Sequence, residues 1–102
     1  MDPFKPYNPP KRHAAPPALT RDDVQAVALK AVAFIAADDE LLPRFVALSG
    51  CGVDDIRRRI ADASFLGGVL DFILADEPTL LAFVAAADLA PETPMAARAK
   101  LP

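Results

Sequence analysis

Two acidic clusters are the residues of this 102-residue chain whose types and spacing could most directly do chemistry. They are Asp38-Asp39-Glu40 and Asp76-Glu77, and both interrupt apolar segments. Carboxylates that a fold brings close together can bind a divalent cation or act as general acid and base. The simpler interpretation is that both clusters cap helix N-termini, where carboxylates accept hydrogen bonds from free backbone N–H groups. Because no third or fourth oxygen ligand is evident, we predict no metal site and no cofactor.

The run Arg57-Arg58-Arg59 is the only dense basic patch after the first 19 residues. Such a run can bind phosphate or an acidic protein surface. Acidic residues four positions away, Asp54 before Arg58 and Asp62 after it, favour instead a solvated helix face whose charges neutralise each other. The chain has a net charge of −3, so we expect no nucleic-acid partner. We retain Arg57 and Arg58 as candidates for contact with a protein.

The single cysteine and the single histidine lie far apart in the sequence. Cys51 stands between Gly50 and Gly52, which predicts a thiol in a flexible loop, whereas His13 lies in the proline-rich first segment. A cysteine nucleophile needs a base close by, so we predict no catalytic residues and favour a protein that is not an enzyme. One cysteine also excludes an internal disulfide and is typical of a reducing cytoplasm.

Residues 1–19 are rich in proline and carry a small excess of basic side chains. Pro3, Pro6 and Pro9 are three positions apart, so they would share one edge of a polyproline II helix, the shape that aromatic-lined grooves recognise. The alternative is a disordered tail that binds nothing. In both cases the segment stays out of the core, and we predict a leader at 1–19 and a helical domain at 20–102.

The apolar segments around the acidic clusters repeat at a fixed offset. Phe34-Ile35-Ala36-Ala37-Asp38 recurs 38 positions later as Phe72-Ile73-Leu74-Ala75-Asp76, and a second apolar run follows each copy. A fixed offset predicts one supersecondary unit used twice. We therefore predict an all-α fold, a compact bundle of five or six short helices made from two related helical hairpins packed around the fourth helix.

Capping residues and apolar spacing predict where these helices begin and end. Thr20 caps a first helix that runs to about Ala37, and Gly50 ends a second helix in a left-handed conformation. Proline is tolerated only within the first turn of a helix, so Pro43 predicts that the second helix begins near Glu40 to Leu42 or is kinked. The remaining helices are predicted from Val53 to about Asp62, from a cap at Ser64 to Leu74, from Asp76 to about Ala87, and from Pro94, capped by Thr93, to Lys100.

The same spacing assigns side chains to the core. The second and third helices are predicted to bury Leu42, Phe45, Val46, Leu48, Ile56 and Ile60. The adjacent Gly67 and Gly68 lower the intrinsic helicity of the fourth helix, so we expect them to let another helix approach closely. The fifth helix is predicted to pack through Leu80, Leu81, Phe83 and Val84. Its excess apolar surface, at Leu81, Ala82, Ala85 and Ala86, is expected to form part of a groove for a partner.

Three blocks of sequence resemble a known family. They are Ala33-Phe34-Ile35-Ala36-Ala37-Asp38, Phe45-Val46-Ala47-Leu48-Ser49-Gly50, and Phe65-Leu66 with the run from Val69 to Glu77. Their order resembles a small all-helical bacterial family catalogued as a domain of unknown function, over roughly residues 20–101. The resemblance implies a helical fold in a bacterial cytoplasm and brings no catalytic or binding residues. Pro43 departs from the usual helix pattern.

Two functional hypotheses follow for this small chain. The leading one is a non-enzymatic protein-interaction or self-associating module. The alternative is a small enzyme or divalent-metal-binding domain that uses the acidic helix breaks. Because those breaks leave no apolar stretch of membrane-spanning length, and no signal-peptide segment is evident, we expect a soluble cytoplasmic protein without a membrane partner.

Overall fold

The computed structural model describes residues 18–102, and every regular element in that range is a helix. The six helices are α1 (Arg21–Ala36), α2 (Leu41–Ser49), α3 (Val53–Arg59), α4 (Ala63–Leu74), α5 (Glu77–Ala87) and α6 (Thr93–Arg98). The predicted all-α class is therefore confirmed. The predictions for Pro3, Pro6, Pro9 and His13 fall outside the described residues.

The core lies between α1 and α4, which pack against each other and against α6. Their apolar stripes are formed by Val24, Val27, Ala28, Ala31 and Ile35 of α1, and by Leu66, Val69, Leu70 and Ile73 of α4. Helix α5 packs on both and contributes the fully buried Phe83, whereas α2 packs along α1. The fourth helix is thus central, as predicted, but it shares that position with α1.

Local hydrogen bonds set the ends of α1 and α2 as the sequence predicted. The Thr20 hydroxyl accepts a hydrogen bond from the Asp23 N–H at 3.0 Å, and the Asp23 carboxylate accepts one from the Thr20 N–H at 3.0 Å. These bonds hold the pKa of Asp23 below its usual value. Pro43 lies in the first turn of α2, and Gly50, with φ of 74°, ends that helix in the left-handed region.

Two predicted caps are wrong because a neighbouring residue takes the capping position. Asp62, not Ser64, caps α4, since its carboxylate accepts a hydrogen bond from the Ser64 N–H at 2.9 Å. Thr93 is the first residue of α6 rather than its cap, and Glu92 precedes it without a side-chain capping bond. Because the Asp62 side chain caps the Ser64 N–H, α4 begins at Ala63, before the serine that was predicted to cap it.

Two residues predicted to be buried lie at the surface. Leu48 is 76% exposed and lines an open groove between α2 and α4. Ile60 is 39% exposed, because α3 ends at Arg59 and the chain leaves the helix before a second inward turn is completed. Phe45 and Ile56 are buried as expected, and Leu42 and Val46 are half-buried. The two-hairpin repeat remains a prediction.

Candidate functional site

The first acidic cluster caps the start of α2. The Asp38 carboxylate accepts hydrogen bonds from the N–H groups of Glu40 and Leu41 at 2.8 and 2.9 Å. These donors favour the ionised form, and Arg44 adds a weaker attraction, so the pKa of Asp38 lies below its usual 3.8. The carboxylate is therefore occupied by backbone donors at the beginning of a helix.

The second acidic cluster does the same for α5. The Asp76 carboxylate accepts a short hydrogen bond from the Thr79 hydroxyl and a second, at 3.2 Å, from the Thr79 N–H. Both bonds lower the pKa of Asp76, the hydroxyl more strongly. Among residues 18–102, no group of three or more histidine, cysteine or acidic side chains is arranged to hold a metal ion. Asp38 and Asp76 therefore act as helix caps.

The three arginines of α3 point to different surroundings. Arg58 forms an ion pair with Asp55, three positions earlier, rather than with Asp54 or Asp62, and its side chain is 70% exposed. Arg57 is exposed on the same helix. Arg59 instead turns back to the loop after α2, where its Nη1 lies 3.7 Å from the Sγ atom of Cys51. Cys51, whose thiol was expected in a flexible loop, is buried, with 6% of its surface exposed.

The lone charge of α4, Asp71, pairs with α6 rather than with the α3 arginines. The Arg98 guanidinium donates from Nε to Oδ1 at 2.7 Å and from Nη2 to Oδ2 at 3.1 Å. Its Nη1 also donates to the carbonyl oxygens of Leu101 and Pro102, at 3.0 and 3.1 Å. The Asp71 bonds raise the pKa of Arg98. This bidentate pair holds the C-terminal residues against α4.

Gly67 makes that contact possible. A Cβ atom at this position would lie 2.9 Å from the carbonyl oxygen of Pro102 and 3.0 Å from Nη1 of Arg98. The expected close approach to α4 therefore occurs at Gly67, although the neighbour is the C-terminal segment and an arginine side chain rather than a helix backbone. Gly68 is different, because a Cβ there would meet nothing within 4 Å.

Gly68 borders an open apolar groove of about 420 Å³, which we call the aromatic groove. Its lining residues come from α2, from the loop that follows it, from α3 and from α4 with its C-cap. They are Phe45, Leu48, Ser49, Cys51, Arg59, Phe65, Gly68, Asp71, Phe72 and Ala75. Helices α2 and α4 are joined here through aromatic side chains. The ring of Phe45 makes edge contacts with Phe65 and Phe72, at centroid separations of 6.0 and 5.3 Å.

The border of the aromatic groove combines an exposed apolar side chain with positive charge. Leu48 is the most exposed large apolar residue of residues 18–102. The Arg44 guanidinium carbon lies 5.7 Å from the centroid of the Phe72 ring, a cation–π contact. At the other side, Arg59 makes no ion pair with a carboxylate of the described residues. An apolar ligand with an acidic end would suit such a groove.

The predicted partner surface on α5 lies apart from the aromatic groove. Leu81, also predicted as a packing residue, is 51% exposed, and Ala82 and Ala85 are exposed beside it. None of these three residues lines the groove, and neither do Arg57 and Arg58. Two further clefts, of about 530 and 320 Å³, lie beside the start of α1 and between α1 and α5.

Sequence reasoning missed most of the aromatic groove because it assigned the residues concerned to the core. Leu48 was expected inside, and Phe45, Phe65 and Phe72 read as ordinary apolar positions. The sequence contained one signal of an open space beside α4. A second glycine in the middle of an apolar helix lowers the stability of that helix, and close packing at Gly67 does not explain why position 68 is also glycine. That signal was interpreted as helix packing, and the space beside Gly68 is open to solvent.

Comparison with known proteins gives a family but no activity. A family described as "Protein of unknown function (DUF3572)" matches residues 21–102, a range that contains all six helices described above. No curated protein and no solved structure matches the chain. The longest helix between residues 18 and 102 has 16 residues, and none there is long and apolar enough to cross a bilayer. The resemblance drawn from the three sequence blocks is thereby confirmed, and the chain belongs to the DUF3572 family.

Proposed function

We propose that this chain is a non-enzymatic interaction module that binds an apolar helix of a protein in the aromatic groove, in the bacterial cytoplasm that the family resemblance implies. The observation that carries the proposal is the opening between α2 and α4, about 420 Å³ in volume and bordered by the 76% exposed Leu48. Grooves between helices are a recurrent binding site for apolar helix faces. Leu48 extends the apolar lining of Phe45, Phe65 and Phe72 to the surface, so that the groove and this side chain form one continuous apolar patch.

The glycine at position 68 supports the proposal that a partner helix approaches the backbone of α4. A glycine inside a helix costs about 1 kcal/mol relative to alanine. No contact among residues 18–102 requires this one, because a Cβ would meet nothing there within 4 Å. A partner helix lying over α4 at this point would use the space that a side chain would otherwise fill.

The polar groups of the groove support binding rather than catalysis. Asp71 is held by two bonds from Arg98. The polar neighbour of the Cys51 thiol is the Arg59 guanidinium, which carries only donors and does not act as a base. The acidic breaks of the alternative enzyme hypothesis lie at helix starts, where backbone N–H groups and Thr79 occupy Asp38 and Asp76. Among the described residues that line the groove, no nucleophile has a base beside it.

Site-specific photo-crosslinking tests this function. A photo-reactive phenylalanine analogue at position 48, in the full chain expressed in its native cells, should give crosslinked products of defined mass. Position 95 is the matched control, because Met95 is also exposed, at 65%, and lines none of the three cavities. A Gly68→Leu background, which fills the groove, should abolish the products. Equal crosslinking at both positions, or none at 48, contradicts the proposal.

The proline-rich leader is tested in the same assay. If Pro3, Pro6 and Pro9 form a second ligand-binding segment, a chain that begins at Thr20 will lose some of the crosslinked products. If the leader is a tail without a ligand, the product pattern will stay unchanged. The comparison separates a partner held by the helical surface from one held by the leader.

A further inference from the structure

We infer that the helix bound in the aromatic groove is α5 of a second copy of this chain. The inference rests on the proposed function, because it names the partner of the same groove. Helix α5 buries one face in its own core through Thr79, Phe83 and Val84. Its opposite face is exposed and free of charge over its central turns, at Leu81, Ala82 and Ala85.

The side chains of α5 match the shape of the groove. Leu81 is the one large residue on this exposed face, and alanines at positions 82 and 85 let a neighbouring backbone come close. The groove offers a corresponding space beside Gly68, with Leu48 and Phe72 as apolar walls. The two surfaces also match in length. The α4 wall from Phe65 to Ala75 spans about 15 Å, and the 11-residue α5 spans about 16 Å.

Charge complementarity favours the same pairing. The exposed face of α5 is bounded by carboxylates at its two ends, Glu77 and Asp88, both exposed. Arg59 lines the groove, whereas Arg44 lies over the lining residue Phe72 and also acts on Asp38 and Asp76 of its own copy. The one carboxylate in the lining, Asp71, is paired with Arg98. Arg59 therefore carries the charge that a second copy can neutralise. Two grooves facing each other would instead oppose arginine to arginine.

The proposed contact joins two different surfaces, so a pair of copies keeps one free groove, on one copy, and one free α5 face, on the other. No α5 residue lines the aromatic groove, which makes the contact heterologous. Heterologous contacts build closed rings or open chains rather than two-fold dimers. A pair of complementary variants can therefore be designed, one that lacks each surface.

Sedimentation velocity on the full chain tests this directly. Wild-type protein should increase in mass with concentration between 1 µM and 1 mM, a range matched to about micromolar affinity. Leu81→Asp removes the α5 surface and Gly68→Leu fills the groove, so each variant alone should remain monomeric. An equimolar mixture should form a dimer, because the first variant keeps its groove and the second keeps its α5 face. Met95→Asp, a charge on another exposed apolar residue, should associate like the wild type.

Three outcomes would overturn the inference: wild-type protein that stays monomeric throughout, variants that still associate, or a mixture that gives no dimer. Thermal melting of each variant shows that it is folded, and neither position is buried. Arg59→Glu supplies a second measurement that does not alter the apolar surfaces. It should weaken association about tenfold or more, whereas Arg57→Glu, the same change outside the groove, should leave it within about twofold. Equal effects of the two would also overturn it.

The crosslinking experiment separates failure of this inference from failure of the proposed function. Products at position 48 that contain a second copy of the chain support both. Products that contain a different polypeptide, with a monomeric wild type, retain the interaction function and exclude the second copy as its partner. Absence of products, with a monomeric wild type, excludes both.

Discussion

The two flanks of α4 meet at adjacent glycines and are built in opposite ways. At Gly67 the helix is sealed, since the Pro102 carbonyl and the Arg98 side chain lie where a Cβ would be. At Gly68 the helix is open to the aromatic groove, and a Cβ would meet nothing within 4 Å. The same residue type thus serves an internal contact at one position and leaves room for an external one at the next.

The difference extends to the contacts that hold each flank. The sealed flank is fixed by directional polar bonds, with Arg98 bound to the Asp71 carboxylate and to two backbone carbonyls. The open flank is held by the ring of Phe45 between Phe65 and Phe72. Apolar ring contacts are less directional than the bidentate ion pair of the sealed flank.

The largest expected effect comes from removing the ring that joins α2 to α4. Phe45→Ala should lower the free energy of unfolding by about 3–5 kcal/mol, because it removes a 5% exposed aromatic side chain and leaves a cavity. Leu48→Ala, on the same helix at an exposed position, is the matched control and should change it by about 0.5 kcal/mol or less. Urea unfolding of both variants measures the contrast. Equal effects would show that the open flank is not held by the Phe45 contacts.

The next effect tests the sealed flank. Gly67→Ala should destabilise the fold by about 1–3 kcal/mol, because a methyl group 2.9 Å from the Pro102 carbonyl displaces the C-terminal segment. The gain in helix propensity opposes this loss and is the smaller term. Thermal unfolding gives the sign, and NMR shifts at Arg98 report the displacement. A stabilised Gly67→Ala variant with unchanged Arg98 signals would mean that this flank is not closely packed.

The adjacent glycine should respond with the opposite sign. Gly68→Ala should raise the free energy of unfolding by about 1 kcal/mol, since the helix gains propensity and the methyl group meets no neighbour. For a domain of this size, that corresponds to a Tm increase of about 4–8 °C. Association measured by sedimentation should weaken in the same variant. Higher stability combined with unchanged association would leave Gly68 without a role in binding.

The contrast between the glycines shows what the sequence could and could not predict. Thr20, Gly50 and Pro43 act through chemistry local to their own helix, and their predicted roles were correct. Gly67 and Gly68 are indistinguishable by propensity, because their roles depend on which tertiary neighbour lies beside each one. The ion pair of Asp71 with Arg98 joins residues 27 positions apart, a contact that no helical spacing rule predicts.

The candidate site was harder to predict than the fold for a related reason. Apolar periodicity assigns a residue to the inner face of its helix, but it does not show whether another helix covers that face. Leu48 follows Phe45 on the same side of α2 and was therefore expected inside. Its exposure of 76% results from the gap between α2 and α4, which is a property of the assembled bundle. That the exposed face of α5 contacts a partner stays a prediction.

The smallest expected effect concerns the carboxylate that fixes the start of α2, the outer wall of the groove. Since the folded pKa of Asp38 lies below the usual 3.8, the stability that this cap contributes is present above that pH and is lost as the pH falls through the lowered value. NMR of the Leu41 amide between pH 6 and 2 should show a titration that Asp38→Asn removes, because asparagine still caps but does not ionise. Asp39→Asn, at an exposed neighbour without such bonds among the described residues, should leave it unchanged. If the Leu41 amide still titrates in Asp38→Asn, a group other than Asp38 determines its chemical shift. The amides at the start of α6 should not follow the same transition, because no side chain caps the beginning of that helix.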